Sequence, residues 1–318
     1  MQKTEGNNDC GQKGRTESET YGGVQTYMGI EDDNLVEVQL GKEDLLERIF
    51  GPDNLQKAYK QVVGNKGAGG VDKMGTSELL PYLNLHLGEL IEKIRSGKYR
   101  PTAVRRRVEI PKGNGKKRQL GIPTVVDRFI QQAISQVLTE EYEPKFSDNS
   151  FGFRPNRSAH DAIKRVRQYA EEGYRYCVDL DLERFFDTVN HSKLIQVLSE
   201  TIKDGRVVSL IHKYLNAGVM VKHKYEETTE GVPQGGPLSP ILSNIILNEL
   251  DKELEHRGHP FVRYADDCIV LVKSLRATER VRDSISNYVE KKLFLQVNKE
   301  KTVMGTLAGK KFLGYTFY

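Results

Sequence analysis

Residues 262–272 read VRYADDCIVLV, with two adjacent carboxylates set between runs of apolar side chains. A chain carrying this stretch must fold so that the apolar arms enter a core while Asp266 and Asp267 stay at its rim. Val262 and Tyr264 alternate with Arg263 and Ala265 before the acids, and CIVLV follows them, the pattern of a β-hairpin with the acids at its turn. Taken alone, two such acids make a solvated turn. Partly shielded by apolar arms, their charges repel and resist desolvation, and a hard divalent cation with oxygen ligands removes that cost.

A second acidic strand shifts the balance towards the metal. In VDLDLERFFD (178–187) the period of two sets Asp179 and Asp181 on one face. If that strand lies beside the hairpin, one of its carboxylates and the Asp266/Asp267 pair would surround two metal ions. Two-metal phosphoryl transfer needs such a set, one ion activating a hydroxyl and the other neutralising a leaving pyrophosphate.

The rest of the chain gives these acids a setting. Residues 1–38 lack periodicity and read as a flexible tail. Amphipathic helices are expected over KEDLLERIF, DNLQKAYKQVV and 76–96, and a basic hairpin over 99–125 with KGNGKK as its turn. Further helices are expected near 127–141, 159–171, 191–203, 205–216, 239–257 and 276–292. Strands are expected at RYCVDLDLERFF, VKHKYEETTE, LQVN, KTVMG and KFLGYTF. From residue 173 the order strand, helices, hairpin, helix, strand is that of an α+β fold related to the split βαβ pattern. It predicts an antiparallel sheet with helices on one face.

Composition narrows the function classes. The net charge is +4, but residues 1–40 hold three Lys/Arg against eight Asp/Glu, leaving about +9 on the remainder, an excess suited to a polyanionic partner. Cys10, Cys177 and Cys268 lie far apart, which argues against a disulfide framework or a zinc site. No apolar run approaches the roughly 18 residues that cross a bilayer, and no secretory signal is present. The expectation is a soluble, cytoplasmic protein of a bacterial cell with no membrane partner.

RYADD, DLERFFDTVNH and GVPQGGPLSPILSNIILNELDKEL together resemble the reverse transcriptases encoded by group II introns. IPKGNGKKRQLGIPTVVDRFIQQAI and SFGFRPNRSAHDAI are similar to the fingers segments of that family, so the resemblance spans about residues 40–318. It implies a right-hand polymerase fold, with fingers over 39–172 and the catalytic palm over 173–318. The implied activity is RNA-directed DNA polymerisation from dNTPs on an RNA template with a primer 3′-hydroxyl, together with binding of intron RNA in splicing and retrohoming. Two Mg2+ ions are implied, with Mn2+ as a substitute. Oligomeric state stays open, a dimer included.

Carried over residue by residue, Asp181, Asp266 and Asp267 correspond to the metal-binding catalytic triad, with Leu182 as a further metal position. Phe185, which keeps the inward strand parity of Asp181, corresponds to the aromatic gate that excludes a 2′-hydroxyl, and Phe186 is the alternative. Gln234 would lie beside the incoming nucleotide, with Pro233 and Gly235 next to the template. Lys112 and Arg118 would lie over the triphosphate, Arg154 and Arg157 on the template, and Lys301 near the leaving pyrophosphate as a proton donor. Gly236 stands where the family often has Ser. The family continues past FLGYTF into a helical thumb, so this chain is expected to be the fingers and palm without it. Two other readings stay open: a non-catalytic RNA-binding splicing fragment, and a retron, diversity-generating or CRISPR-linked reverse transcriptase.

Overall fold

The structure is a computed structural model that describes residues 27–31, 34–38, 45–111, 117–222 and 224–318. The chain divides into two compact units, Met1–Glu43 and Asp44–Tyr318. In the first, β1 (Tyr27–Glu31) and β2 (Asn34–Val38) pair antiparallel, and the rest of the segment expected as a tail lies outside the described residues.

The second unit begins with three helices, α1 (Leu45–Ile49), α2 (Pro52–Gly64) and α3 (Leu79–Arg95). Pro52 starts α2 with the fixed φ that a first helical turn tolerates. The basic hairpin is β3 (Val104–Pro111) and β4 (Lys117–Ile122), antiparallel with a bulge between Arg106 and Val108. Next come α4 (Val125–Tyr142), α5 (Ala159–Glu171) and β5 (Tyr176–Leu180). Thr124 caps α4 by accepting from the Asp127 amide, and Ser158 caps α5 in a capping box with Asp161.

Three helices follow, α6 (Phe185–Thr188), α7 (His191–Thr201) and α8 (Gly205–Leu215), then the short strands β6 (Val219–Val221) and β7 (Lys224–Glu226). The chain closes with α9 (Ser239–His256), β8 (Phe261–Tyr264), β9 (Asp267–Val272), α10 (Leu275–Lys292), β10 (Val303–Thr306), β11 (Lys311–Phe312) and β12 (Tyr315–Thr316). LQVN forms no strand of its own, and Val297 bridges to Leu182 alone.

Two four-stranded sheets organise this unit, beside a small β11–β12 pair. The first has the order β10-β5-β9-β8, every pair antiparallel, which is the split βαβ arrangement. β9 is central and its residues from Cys268 to Val272 are all buried, because both of its faces are covered. That is why CIVLV shows no polar alternation. Val178, Leu180 and Val270 join the α9–α10 core, whereas Cys177, Ile269 and Leu271 pack with Ala162 and Val166 of α5. Helices therefore cover both faces, not one as expected, since α5 lies across the side opposite α9. The second sheet, β4-β3-β6-β7, joins the basic hairpin to the segment after α8 through parallel pairing of β3 with β6. One apolar core takes residues from α1–α4 as well as from α7–α10. No helix among the described residues is long and apolar enough to cross a membrane.

Within the first sheet a charged pair is fully enclosed. Arg263 on β8 donates from Nε to Asp251 Oδ1 at 2.7 Å and from Nη2 to Oδ2 at 2.5 Å, both side chains having no exposure. Burial pushes the Asp251 carboxyl up, and the guanidinium pulls it back. Asp251→Leu alone strands a buried guanidinium and should lower stability by about 3–5 kcal/mol, while adding Arg263→Met should restore most of it. Denaturant unfolding of the single and double variants measures both.

Candidate active site

The three carboxylates lie at the same end of the first sheet. Strand pairing runs Asp179 to Ile269 and Leu180 to Cys268, so Asp181 and Asp267 each stand next to the last β5–β9 pair. Tyr264 pairs with Asp267, closing the β8–β9 hairpin through Ala265 and Asp266. Asp266 is half-buried and Asp267 exposed.

This turn is held from below. Ala265 has φ +57°, a left-handed backbone that costs an alanine of order 1–3 kcal/mol unless its surroundings impose it. Arg263 Nη1 donates to the Ala265 carbonyl at 2.9 Å and to Asn244 Oδ1 at 2.9 Å. Asn244 and Asp251 lie seven residues apart on α9, on one helical face, and both are buried. Asn244 Nδ2 in turn donates to the carbonyl of Gly152 at 2.9 Å. The SFGF segment docks along β8, with the Phe151 amide donating to Arg263 O and the Arg263 amide to Asn149 O, each at 2.9 Å. A Cβ on Gly152 would come within 2.2 Å of the Ala265 nitrogen, so only glycine fits under the turn. Arg263, Asn244, Asp251 and Gly152 were not read as site residues. An arginine inside an apolar strand run is the signal that could have raised the first.

Asp181 lies just past β5. Its amide donates to Thr302 Oγ1 at 3.2 Å, and its carbonyl accepts from the Asn298 amide at 2.9 Å. The loop that makes these contacts also carries Lys301, whose Nζ lies 3.7 Å from Asp181 Oδ2, both side chains partly exposed. Asp179 is taken up differently, by Lys310 at 2.7 Å in a more enclosed pair. The donor set at this end of the sheet is carboxylate oxygen, suited to a hard divalent cation. Among the described residues no three His, Cys, Asp or Glu side chains converge closely enough to hold an ion. The cation beside Asp181 here is the ammonium of Lys301.

The other expected residues divide. Leu182 is buried in the core. Strand parity does not reach Phe185, because β5 ends at Leu180 and Arg184 turns the chain into α6 with φ +47°. Phe185 is 3% exposed and is a core residue, whereas Phe186 is half-buried, its ring 5.2 Å from that of Phe185. The Phe186 carbonyl accepts from the Val232 amide at 2.6 Å, which sets this aromatic beside the PQGG loop. In that loop Pro233 and Gln234 are half-buried, and the Gln234 carbonyl accepts from the Gly121 amide of β4 at 2.7 Å. Gly235 has φ +111°, and a Cβ there would meet the Gly121 carbonyl at 2.4 Å. The close approach that its glycine permits here is to the chain's own β4.

Arg154 is also corrected. All of its guanidinium nitrogens are engaged, with Glu143 and with the carbonyls of Ser147 and Ser150, and its side chain is 2% exposed. It fastens the loop before α5 and has no donor left for a template. Arg157 pairs with Asp148 at 2.8 Å and holds that carboxyl below its usual range, mainly by the hydrogen bond, but keeps an exposed edge. Lys112 lies outside the described residues, and Arg118 is known by its position on β4, opposite Ile110. His191 starts α7 and is satisfied by the Gly231 carbonyl at 2.7 Å, in keeping with a structural role.

Comparison with known proteins agrees with this architecture. The family described as reverse transcriptase (RNA-dependent DNA polymerase) matches residues 110–317. Protein YkfC of Escherichia coli is 35% identical, over 81% of this chain and 78% of its own length. The group II intron-encoded protein LtrA of Lactococcus lactis is 30% identical over 85% of this chain, which spans 56% of LtrA. A putative COX1/OXI3 intron 2 protein of Saccharomyces cerevisiae is 31% identical over 81% of this chain and 37% of itself. Among solved structures, telomerase from Candida albicans superposes with a TM-score of 0.54 at 13% identity, over 70% of this chain and 46% of that one, a likeness of fold alone.

The contact under the acidic turn gives a direct test. Gly152→Ala must push Ala265 away, and overpacking of this kind costs about 1–3 kcal/mol. The expected outcome is a lower unfolding midpoint for Gly152→Ala and no loss for Gly205→Ala, whose Cβ would meet nothing; equal midpoints for the two variants would mean that the clash is not felt.

Proposed function

This chain belongs to the reverse transcriptase (RNA-dependent DNA polymerase) family, of the group II intron-encoded kind, and on that premise we propose that it extends a primer with dNTPs on an RNA template. What supports the proposal is the strand register that pairs Leu180 with Cys268, the immediate neighbours of Asp181 and Asp267, at the end of the sheet where the β8–β9 turn carries Asp266. In this reading residues 39–172 are fingers and 173–318 palm. The protein works in the bacterial cytoplasm, and it also binds intron RNA during splicing and retrohoming.

The reaction joins the primer 3′-oxygen to the α-phosphorus of the dNTP, breaks the α–β phosphoanhydride bond and releases pyrophosphate, with the hydroxyl proton lost. Asp181, Asp266 and Asp267, with the backbone at Leu182, would hold two Mg2+ ions or Mn2+ in their place. Bound there, the ions would favour the 3′-alkoxide and balance charge on the pyrophosphate. Lys301, already beside Asp181, would be released from it and become available to donate a proton. Lys112 and Arg118 on the basic hairpin would neutralise the triphosphate. Phe186, the more open of the two adjacent phenylalanines, takes the gate role under the sugar, with Gln234 at its side. Arg157 would keep one edge for the template.

Primer extension on RNA in Mg2+ tests the proposal. Wild type should extend with dNTPs, and Asp266→Ala should lose activity by at least about a thousandfold while keeping its unfolding midpoint. Bound RNA with no extension by either protein would favour a non-catalytic splicing role. The gate assignment has its own outcome. Phe186→Val should raise rNTP incorporation relative to dNTP, whereas Phe185→Ala should cost about 3–5 kcal/mol of stability.

A further inference from the structure

We infer that the cleft between α3 and residues 98–100 binds a single strand of RNA, at a site distinct from the palm acids. The cleft encloses about 300 Å3, and none of its lining residues comes from the sheet that carries Asp181, Asp266 and Asp267. Tyr82, His86 and Lys93 recur along one face of α3, and Lys98, Tyr99 and Arg100 face them. The rings of Tyr82 and His86 lie 4.7 Å apart and tilted by 41°, and His86 is exposed. Lys93 is engaged by Glu89 at 2.6 Å. Lys98 and Arg100 are exposed, and among the described residues no ion pair or side-chain hydrogen bond takes up their charge.

The floor is fixed in advance. Tyr99 donates its hydroxyl to Asp127 Oδ1 at 2.5 Å, and the Thr102 amide donates to Oδ2 of the same buried carboxylate at 3.2 Å. Burial pushes the Asp127 carboxyl up, against the pull of these hydrogen bonds. Residues 98–100 are thereby pinned to the first turn of α4, so a ligand meets a formed surface.

Aromatic rings beside uncommitted cations in a narrow cleft are what unstacked bases and a phosphate backbone require, since each base offers a π-face and each phosphate a charge. A cavity of this size takes a nucleotide or two, not a duplex. In sequence, Arg100 is followed within seven residues by Arg105, Arg106 and Arg107, a continuation of positive charge along the chain. The choice of RNA among polyanions rests on the polymerase reading.

Fluorescence anisotropy with a labelled oligouridylate, over a range of salt, tests this on the full chain. His86→Ala should weaken binding at least about fivefold, as loss of a stacking ring does. Lys98→Ala combined with Arg100→Ala should weaken it and lower the slope of log affinity against log salt by about 1.4, two phosphates' worth on a single strand. Binding of duplex RNA should stay within error in both variants. Unchanged oligouridylate binding, or an equal loss on duplex RNA, would overturn the inference, the latter by reducing it to diffuse charge. Oligouridylate binding is read without primer, dNTP or metal ion, so failure of primer extension would leave this result intact, and failure here would leave the polymerase reading standing.

Discussion

The enclosed pair of Arg263 and Asp251 is the constraint from which the acidic end of the sheet takes its shape. A guanidinium without exposure must have every donor answered, and here the partners come from three places: a helix, a turn and, through Asn244, the loop that contains Gly152. The same side chain that needs α9 for its charge also grips the carbonyl of the strained residue beside Asp266. Position and strain at the turn are thus set by one network rather than by the hairpin's own propensity. Networks of this kind are costly when partly satisfied and rigid when complete, which suits the support of charged groups that must hold still.

A second tie runs between the halves of the chain. β3 pairs with β6, the Gly121 amide reaches the Gln234 carbonyl, and Gly235 is pressed against the same strand. The loop before α9 is therefore registered on the root of the basic hairpin by backbone contacts, which depend on the presence of glycine more than on any polar side chain. Around it the apolar core passes without a break from α1–α4 to α7–α10. The groups proposed to act on one substrate are carried on parts of a single packed unit.

Much of this was legible in the sequence, for identifiable reasons. The strand order follows from alternating segments of two periods, and the acidic hairpin from apolar arms around two carboxylates. The helix expected from residue 159 begins there, capped by Ser158. What the sequence hid were partnerships between distant residues. Nothing local shows that Arg154 spends its donors on Glu143 and two carbonyls, or that Asp179 is held by Lys310 while Asp181 has the looser contact with Lys301. Phe185 was misread because a parity rule for strands was carried past the residue where the strand stops. The covering of both sheet faces was missed because α5 precedes β5 in sequence yet packs against β8.

The bulge between Arg106 and Val108 divides the basic hairpin in two. Below it, Val104 and Arg105 are stitched to Val219 and Met220; beyond it, among the described residues, β3 pairs with β4 alone. An extra residue in one strand loosens the ladder and bends it. The hairpin is thus anchored at its base by a third strand and set at an angle to that anchor one residue above it.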